Sequence, residues 1–213
     1  MPTETARAES LFERTASPRE KKRVQRIEDI IEVAASIFVS DGYAQFSARK
    51  VASELGISLS NLQHYCGTTE NLLASMIRAK IESFVTLFHD IASNTAMPPQ
   101  ERFMAILDGD MAATLDPWIA SFSFQVWALA EHDEVVNALL KRIYGDFCQT
   151  LSELIVEVNP SISLEKARVH AILIASQIEG VMFYNKQIGA ESVSWDALLK
   201  TMKTLWLKTI LEG

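Results

Sequence analysis

Apolar residues recur at intervals of three and four along most of the chain, which is the period of an amphipathic α-helix. The single-residue alternation of apolar and polar positions that is typical of half-buried strands does not occur. The first clear run predicts a helix from about Ser17 to Ser40, with apolar positions at Ile27, Ile30, Ile31, Ala34, Ile37 and Phe38. We therefore expect an all-α fold of about nine helices.

Capping residues, prolines and glycines divide this pattern into segments. Ser17-Pro18 and Asp116-Pro117 each place an N-cap residue before a proline at the first helical position. Asp41-Gly42 and Asn159-Pro160 are typical of helix ends. A longer fourth helix, which begins after Thr68, is interpreted as a connector between an N-terminal and a C-terminal domain.

Residues 47–67, SARKVASELGISLSNLQHYCG, have the spacing of a helix-turn-helix. Ala52 is small where two short helices would cross closely, and Leu62 lies ten residues later on the inner face of the second helix. Gly56 falls where the first helix ends, and glycine adopts a left-handed turn at the lowest cost. The alternative is a pair of short helices joined by glycine with no role in DNA binding.

The outward positions of the second short helix are polar or aromatic but uncharged, which suits base reading in a DNA groove. Gln63 is the residue expected to read a base, because a carboxamide pairs bidentately with adenine. Arg49 and Lys50 are expected to hold the phosphate backbone. The DNA contacts predicted from this segment are Ser47, Arg49, Lys50, Ser58, Leu59, Ser60, Asn61, Gln63, His64 and Tyr65.

Charge is unevenly distributed along the chain. Residues 1–80 carry 11 Lys and Arg against 10 Asp and Glu, whereas residues 81–213 carry 9 against 17, so the net charge of −7 belongs to the C-terminal part. A basic cluster just upstream of the helix-turn-helix can reach DNA phosphates or can simply be a solvated helix start. It consists of Arg19, Lys21, Lys22, Arg23 and Arg26.

Other function classes find little support in the sequence. Two separated cysteines, Cys66 and Cys148, argue against a disulfide framework and fit a reducing cytoplasm. No apolar run has the length of a membrane span, and the first 18 residues contain no apolar signal-peptide segment. Local signatures of hydrolases, metal sites and phosphate-binding loops are also missing. We expect no catalytic residues, metal or cofactor, and therefore no enzyme.

The combination of motifs in residues 24–73 resembles the N-terminal signature of the TetR family of bacterial transcriptional regulators. The matching elements are the Ala34-Ala35 and Phe38 stripe, Gly42-Tyr43, Val51-Ala52, Gly56-Ile57-Ser58, Leu62 and Glu70-x-Leu72. Members of the family usually carry Lys or Arg immediately before this glutamate, where this chain has Thr69. By this resemblance, Thr68 and Thr69 are expected to offer hydroxyl and backbone N–H groups to a phosphate without adding charge.

The resemblance also implies a ligand cavity enclosed by the C-terminal helices. Glu179 lies in a nearly all-apolar segment and needs a partner, which is either a cationic or hydroxylated ligand or a group across a dimer seam. The candidate ligand-binding residues are Phe88, Trp118, Phe122, Trp127, Phe147, Gln177, Glu179 and Phe183. Any one of the aromatic residues can equally be ordinary core.

The last two helices are expected to form a homodimer, because the final one is apolar over more than one stripe. We predict a disordered arm over residues 1–18, a helix-turn-helix domain over residues 19–67, and a ligand-binding and dimerisation domain over residues 68–213. The expected function is a cytoplasmic, ligand-responsive repressor that binds a near-palindromic site in double-stranded DNA. Two alternatives remain: an all-α small-molecule-binding protein, and a degenerate family member without sequence-specific DNA binding.

Overall fold

The computed structural model describes residues 17–189 and 194–212, and within these ranges the chain is helical. The predicted all-α fold is confirmed. The arm predicted over residues 1–18 lies outside the described residues except for Ser17 and Pro18, which begin the first helix. In chain order the helices are α1 (Pro18–Asp41), a short 3₁₀ turn (Tyr43–Gln45), α2 (Ala48–Glu54), α3 (Leu59–Cys66), α4 (Thr69–Ser93), α5 (Pro99–Thr114), α6 (Pro117–Ala130), α7 (Glu134–Val158), α8 (Leu164–Ile188) and α9 (Trp195–Glu212).

Local capping explains where several of these helices begin. Ser17 and Glu20 form a reciprocal capping box, in which each side chain accepts a backbone N–H of the other residue. The Asp116 carboxylate accepts the N–H of Trp118 at 2.7 Å, and Asp133 caps α7 in the same way. These contacts satisfy backbone donors that a helix cannot pair internally. Helix starts are therefore set by residues near in sequence.

The described residues pack as two compact units, one ending at Ile81 and the other beginning at Glu82. In the first unit, α1 packs against α2 and α3, and α2 packs against α3. Its core is apolar, with fully buried side chains at Ile30, Ala34, Phe38, Val51, Leu72, Met76 and Ile77. This core holds the helix-turn-helix in place. The functional division that the sequence predicts at residue 67 stays a prediction.

In the second unit, α7 and α8 form the most extensive helix pair, and α5 and α6 pack against both. The core is built mainly from α5, α7 and α8, with α9 contributing Met202, Trp206 and Ile210. None of the helices in the described ranges combines the length and the apolar character required to cross a membrane. The interior of this unit contains both the apolar core and a small polar cluster.

Candidate DNA interface and ligand site

A glycine turn between α2 and α3 sets the geometry of the helix-turn-helix. Gly56 has φ = +64°, in the left-handed region. Its N–H donates to the Ser53 carbonyl at 3.1 Å, and the Ile57 N–H donates to the Ala52 carbonyl at 3.0 Å. This pair of bonds is the Schellman arrangement for ending a helix. Together with the burial of Ala52 and Leu62, at 2% and 1% exposed, it confirms the helix-turn-helix read from the sequence.

The outer face of α3 is polar and accessible. Ser60, Asn61, Gln63 and His64 are exposed, whereas Leu59 is half-buried. Tyr65 is half-buried too, and its ring meets the His64 ring edge-on with 5.6 Å between centroids. The exposed amides and hydroxyls are groups that can hydrogen-bond to base edges. Most of the predicted contacts of this helix are therefore accessible, and its buried side is marked by Leu62.

Serine side chains at the two helix starts have a structural task. Ser58 Oγ accepts the Asn61 N–H at 3.2 Å and lies 3.1 Å from Ser60 Oγ. Ser47 Oγ accepts the Lys50 N–H at 3.3 Å. A capping hydroxyl keeps its own proton to donate, so capping is compatible with a DNA contact.

The groups expected to hold phosphates differ in how free they are. Arg49 is exposed, while the Lys50 ammonium pairs with Asp41 and holds the pKa of that carboxyl below its usual range. Thr68 caps α4, accepting the Asn71 N–H at 3.2 Å, and its hydrogen bond to Glu70 lowers the pKa of that carboxyl. Thr69, the first residue of α4, is half-buried. Of the two cations, Arg49 is more available to a phosphate than Lys50.

The basic cluster lies at the start of α1. Arg19, Lys21, Lys22 and Arg23 are exposed and Arg26 is half-buried. These residues belong to the first turns of the helix, so they present a concentration of positive charge on the first unit. Such charge adds salt-dependent affinity for a polyanion without reading its sequence.

In the second unit, three side chains from three helices form a hydrogen-bonded series. The Trp127 indole N–H, from α6, donates to the Tyr144 hydroxyl at 3.0 Å. Tyr144, on α7, donates its own O–H to Glu179 Oε1 at 2.7 Å. The other carboxylate oxygen, Oε2, is buried without a hydrogen-bond partner. Glu179 thus has an intramolecular partner for one oxygen and none for the other.

Asp110, on α5, adds a second carboxylate to this cluster. Burial, and then the charge of Glu179, raise the pKa of Asp110 to about 7. Burial also raises the pKa of Glu179, although the Tyr144 hydrogen bond opposes that shift. The pKa of Tyr144 is raised by burial and by the neighbouring Glu179 charge, so its hydroxyl keeps its proton. The cluster is acidic and half-buried, and within it Glu179 Oε2 is fully buried.

The structure divides the other predicted ligand residues among several places. Phe88 and Phe147 pack at 5.7 Å between centroids and line a groove of about 330 Å³. Trp118 and Phe122 stack on each other along α6, at 5.4 Å. Gln177 is exposed and accepts the Trp206 indole N–H, and Phe183 is half exposed. Only Trp127 and Glu179 of the predicted set belong to the acidic cluster.

Sequence reasoning missed Asp110 and gave Tyr144 no polar role. A signal for Asp110 was present, because it occupies a position in the three-and-four spaced stripe that is otherwise Phe103, Ile106, Leu107 and Met111. A carboxylate on the buried face of a helix requires compensation. Tyr144 carried no such signal, since a tyrosine on a helix is commonly core.

Comparison with known proteins shows which chains are similar in sequence and in fold. No protein-family model matches the chain. It is 26% identical over 192 residues to an HTH-type transcriptional regulator from the dhlA 5′ region of Xanthobacter autotrophicus, covering 89% of this chain and 92% of that protein. A TetR transcriptional regulator from Legionella pneumophila superposes with a TM-score of 0.66 at 18% identity, covering 91% of this chain and 97% of that one. The chain is a helix-turn-helix transcriptional regulator with the TetR-family fold.

A second solved structure of this regulator fold carries a ligand. A transcriptional regulator from Saccharomonospora viridis, solved in complex with choline, superposes with a TM-score of 0.70 at 17% identity. The match covers 88% of this chain and 96% of that one. The TetR-family fold in this chain therefore extends over both units, since each match spans most of its length.

Proposed function

We propose that this regulator is a ligand-responsive repressor that acts as a dimer on a near-palindromic operator and is released by a small molecule. The observation that carries the proposal is that α3 exposes uncharged polar side chains in a unit whose α1 carries an exposed basic cluster. The choline complex of the Saccharomonospora regulator supports a small-molecule effector. The protein acts in the cytoplasm by binding and catalyses no reaction.

The proposed DNA contacts combine reading and positioning groups. Gln63 and Asn61 read bases, helped by Ser60 and Leu59, while Arg49 and the α1 cluster contact phosphates. Effector binding in the second unit favours one arrangement of α4 over another and so changes the placement of the two reading helices. An effector shifts operator affinity only by its difference in affinity for the two arrangements.

An unpartnered apolar face supports a dimer through the last two helices. Six large side chains of α8 are each between 49% and 57% exposed and follow one side of the helix, here named the α8 stripe: Val169, Ile172, Leu173, Phe183, Tyr184 and Ile188. Ser176 and Gly180, which lie between them, are small. The stripe extends over about 28 Å at the α-helical rise. A continuous apolar face of this size needs a covering surface, and a two-fold related copy of the same stripe supplies one.

Replacing Ile172 by glutamate is expected to convert the dimer to a monomer, because the charge would be buried between the joined stripes. Sedimentation equilibrium measures the change in molecular mass. Val135→Glu is the matched control, since Val135 is 61% exposed and lies on α7 and not on α8, and this substitution should leave the mass unchanged. A monomeric parent protein, or equal dissociation in both variants, would contradict the α8 interface.

Fluorescence anisotropy with labelled DNA from the protein's own promoter region, at two salt concentrations and against scrambled DNA, tests the operator proposal. The parent protein should prefer the promoter DNA and bind more weakly at higher salt. Gln63→Ala should lose about 5- to 150-fold of that preference, the value of one bidentate base contact. Its folding should be unchanged, because Gln63 is exposed.

Gln100→Ala is the control for this measurement, since Gln100 is exposed in the second unit. Its operator affinity and preference should equal those of the parent. If Gln63→Ala also left the preference intact, the assignment of α3 as the reading helix would be wrong. Equal, weak binding of the parent to both DNAs would favour the alternatives without sequence-specific DNA binding.

A further inference from the structure

The acidic cluster of the second unit contains two carboxylates and no cation. Asp110 and Glu179 are close enough for the negative charge of Glu179 to act on Asp110. In the part of the chain that the structure describes, no Lys, Arg or His forms an ion pair with either residue. Burying a carboxylate without a partner is costly, and burying two together costs more.

Three more exposed acids of the same unit are paired with cations. Asp108 pairs with Lys203, Glu157 with Arg102 at 2.5 Å, and Glu82 with Arg142 at 3.2 Å. These acids are about half exposed, yet each has a cation. Asp110 and Glu179 are less exposed than these three acids, yet neither forms an ion pair in the part of the chain that the structure describes.

The hydrogen bonds around the pair show which chemical group is missing. Trp127 donates to Tyr144 and Tyr144 donates to Glu179 Oε1, so both local donors are already used. Glu179 Oε2 remains a buried acceptor without a donor, and no hydrogen bond reaches the Asp110 carboxylate among the described residues. When both carboxylates are ionised, a group that brings positive charge together with N–H or O–H donors complements them.

Tyr144, which donates to Glu179, connects the acidic pair to further aromatic rings. Trp127, which starts the hydrogen-bonded series, meets Phe124 edge-on with 5.3 Å between centroids. Aromatic faces attract cations and also pack against apolar or aromatic bodies. The surroundings thus fit a cation attached to an apolar group better than a fully hydrated inorganic ion.

We propose that the Asp110–Glu179 pair binds the protonated amino group of an organic amine, with its N–H groups donating to Glu179 Oε2 and to the Asp110 carboxylate. The proposal rests on the proposed function, in that this amine is the class of effector that the regulator senses. A quaternary ammonium has the charge but no donor, so it leaves both acceptors unsatisfied. A neutral alcohol has a donor but leaves both carboxylates without a counter-charge. Trp127 and Phe124 contact the apolar body of the amine.

Calorimetric titration of the full-length protein with three probes that share a benzyl group tests this assignment. Benzylamine supplies charge and N–H donors, benzyltrimethylammonium supplies charge alone, and benzyl alcohol supplies neither charge nor an N–H. Benzylamine should bind with a Kd of about 1 mM or lower, a value typical of a probe of this size that is efficiently bound. The other two probes should bind at least about tenfold more weakly, since each leaves buried acceptors or charges unmatched.

Two variants and a control locate the binding. Asp110→Asn and Glu179→Gln keep the shape of the side chains and should each weaken benzylamine by about tenfold or more, as expected for losing one charge-assisted hydrogen bond. Glu101→Gln, an exposed acid on the same helix as Asp110, should leave the affinity unchanged. Circular dichroism confirms that each variant is folded.

Several results would overturn the assignment. These are no saturable heat with benzylamine, equal affinity for benzyltrimethylammonium or benzyl alcohol, and binding that survives both substitutions. Saturable binding of Ca²⁺ or Mg²⁺ that both substitutions abolish would replace the amine by a metal ion. The titration contains no DNA, so its failure is distinguishable from a failure of operator binding, which is measured without amine.

Discussion

Replacing Arg102 by methionine is expected to lower the free energy of unfolding by about 3 kcal/mol, because it removes a buried side chain that donates to three acceptors. The Arg102 side chain is 4% exposed. It donates to the carbonyls of Ala92 at 2.5 Å and Met97 at 3.2 Å, and to the Glu157 carboxylate at 2.5 Å. Methionine fills similar space but donates nothing, so the two backbone carbonyls lose their donor.

Urea denaturation followed by circular dichroism measures this change. Arg142→Met is the matched control, since Arg142 and its partner Glu82 are both about half exposed and 3.2 Å apart. Exposed pairs contribute at most about 1 kcal/mol, so the control should stay close to the parent protein. Equal effects of the two substitutions would mean that the carbonyls near Arg102 find water in its place.

Elements set by nearby residues were predictable from the sequence. Ser17 and Asp116 cap helices at the expected places because an N-cap contact spans only two or three residues. The turn at Gly56 was predictable for the same reason, since the chain itself requires the left-handed conformation there. The reading face of α3 follows directly, because its outward positions are determined by the buried Leu62.

The acidic cluster could not be predicted, because it depends on how four helices pack. Asp110, Trp127, Tyr144 and Glu179 each lie on a different helix, and no spacing in the sequence relates them. Glu179 was recognisable in the sequence as a lone acid in an apolar segment. Its partner Tyr144 was not, because it is 35 residues away. The aromatic ligand candidates stay predictions, because an aromatic ring packs equally well in a core, as Phe88 does.

The face proposed for the dimer also depends on how the helices pack, which the sequence does not show. The sequence predicts a dimer contact by the last helix because that helix is apolar on several sides. In the structure, Met202, Trp206 and Ile210 of that helix are buried within the second unit, whereas most of that unit's exposed large apolar side chains lie on α8. Periodicity reports that a face is apolar but not which neighbour covers it.

Replacing Asp110 by asparagine is expected to stabilise the protein at pH 8 and to have much less effect at pH 5. Burial and the Glu179 charge raise the pKa of Asp110 to about 7, from an ordinary value of 3.8. Between these values the unfolded chain has released the proton and the folded chain retains it. The free energy of unfolding of the parent protein therefore falls as pH rises through this window, by on the order of 1.4 kcal/mol per pH unit. Above about pH 7 the whole penalty is present, at most about 4 kcal/mol.

Asparagine carries no charge at any of these pH values, so the variant avoids the penalty. Urea denaturation of both proteins at pH 5, 6, 7 and 8 should show a difference that grows steadily toward pH 8. Glu101→Gln, which changes an exposed acid of the same helix, should show no such growth. A difference that does not change with pH would mean that Asp110 ionises normally. Benzylamine at pH 8 should reduce the difference in free energy of unfolding between the two proteins. A bound ammonium stabilises the ionised Asp110 carboxylate of the parent protein, whereas asparagine in the variant carries no charge for it to pair with.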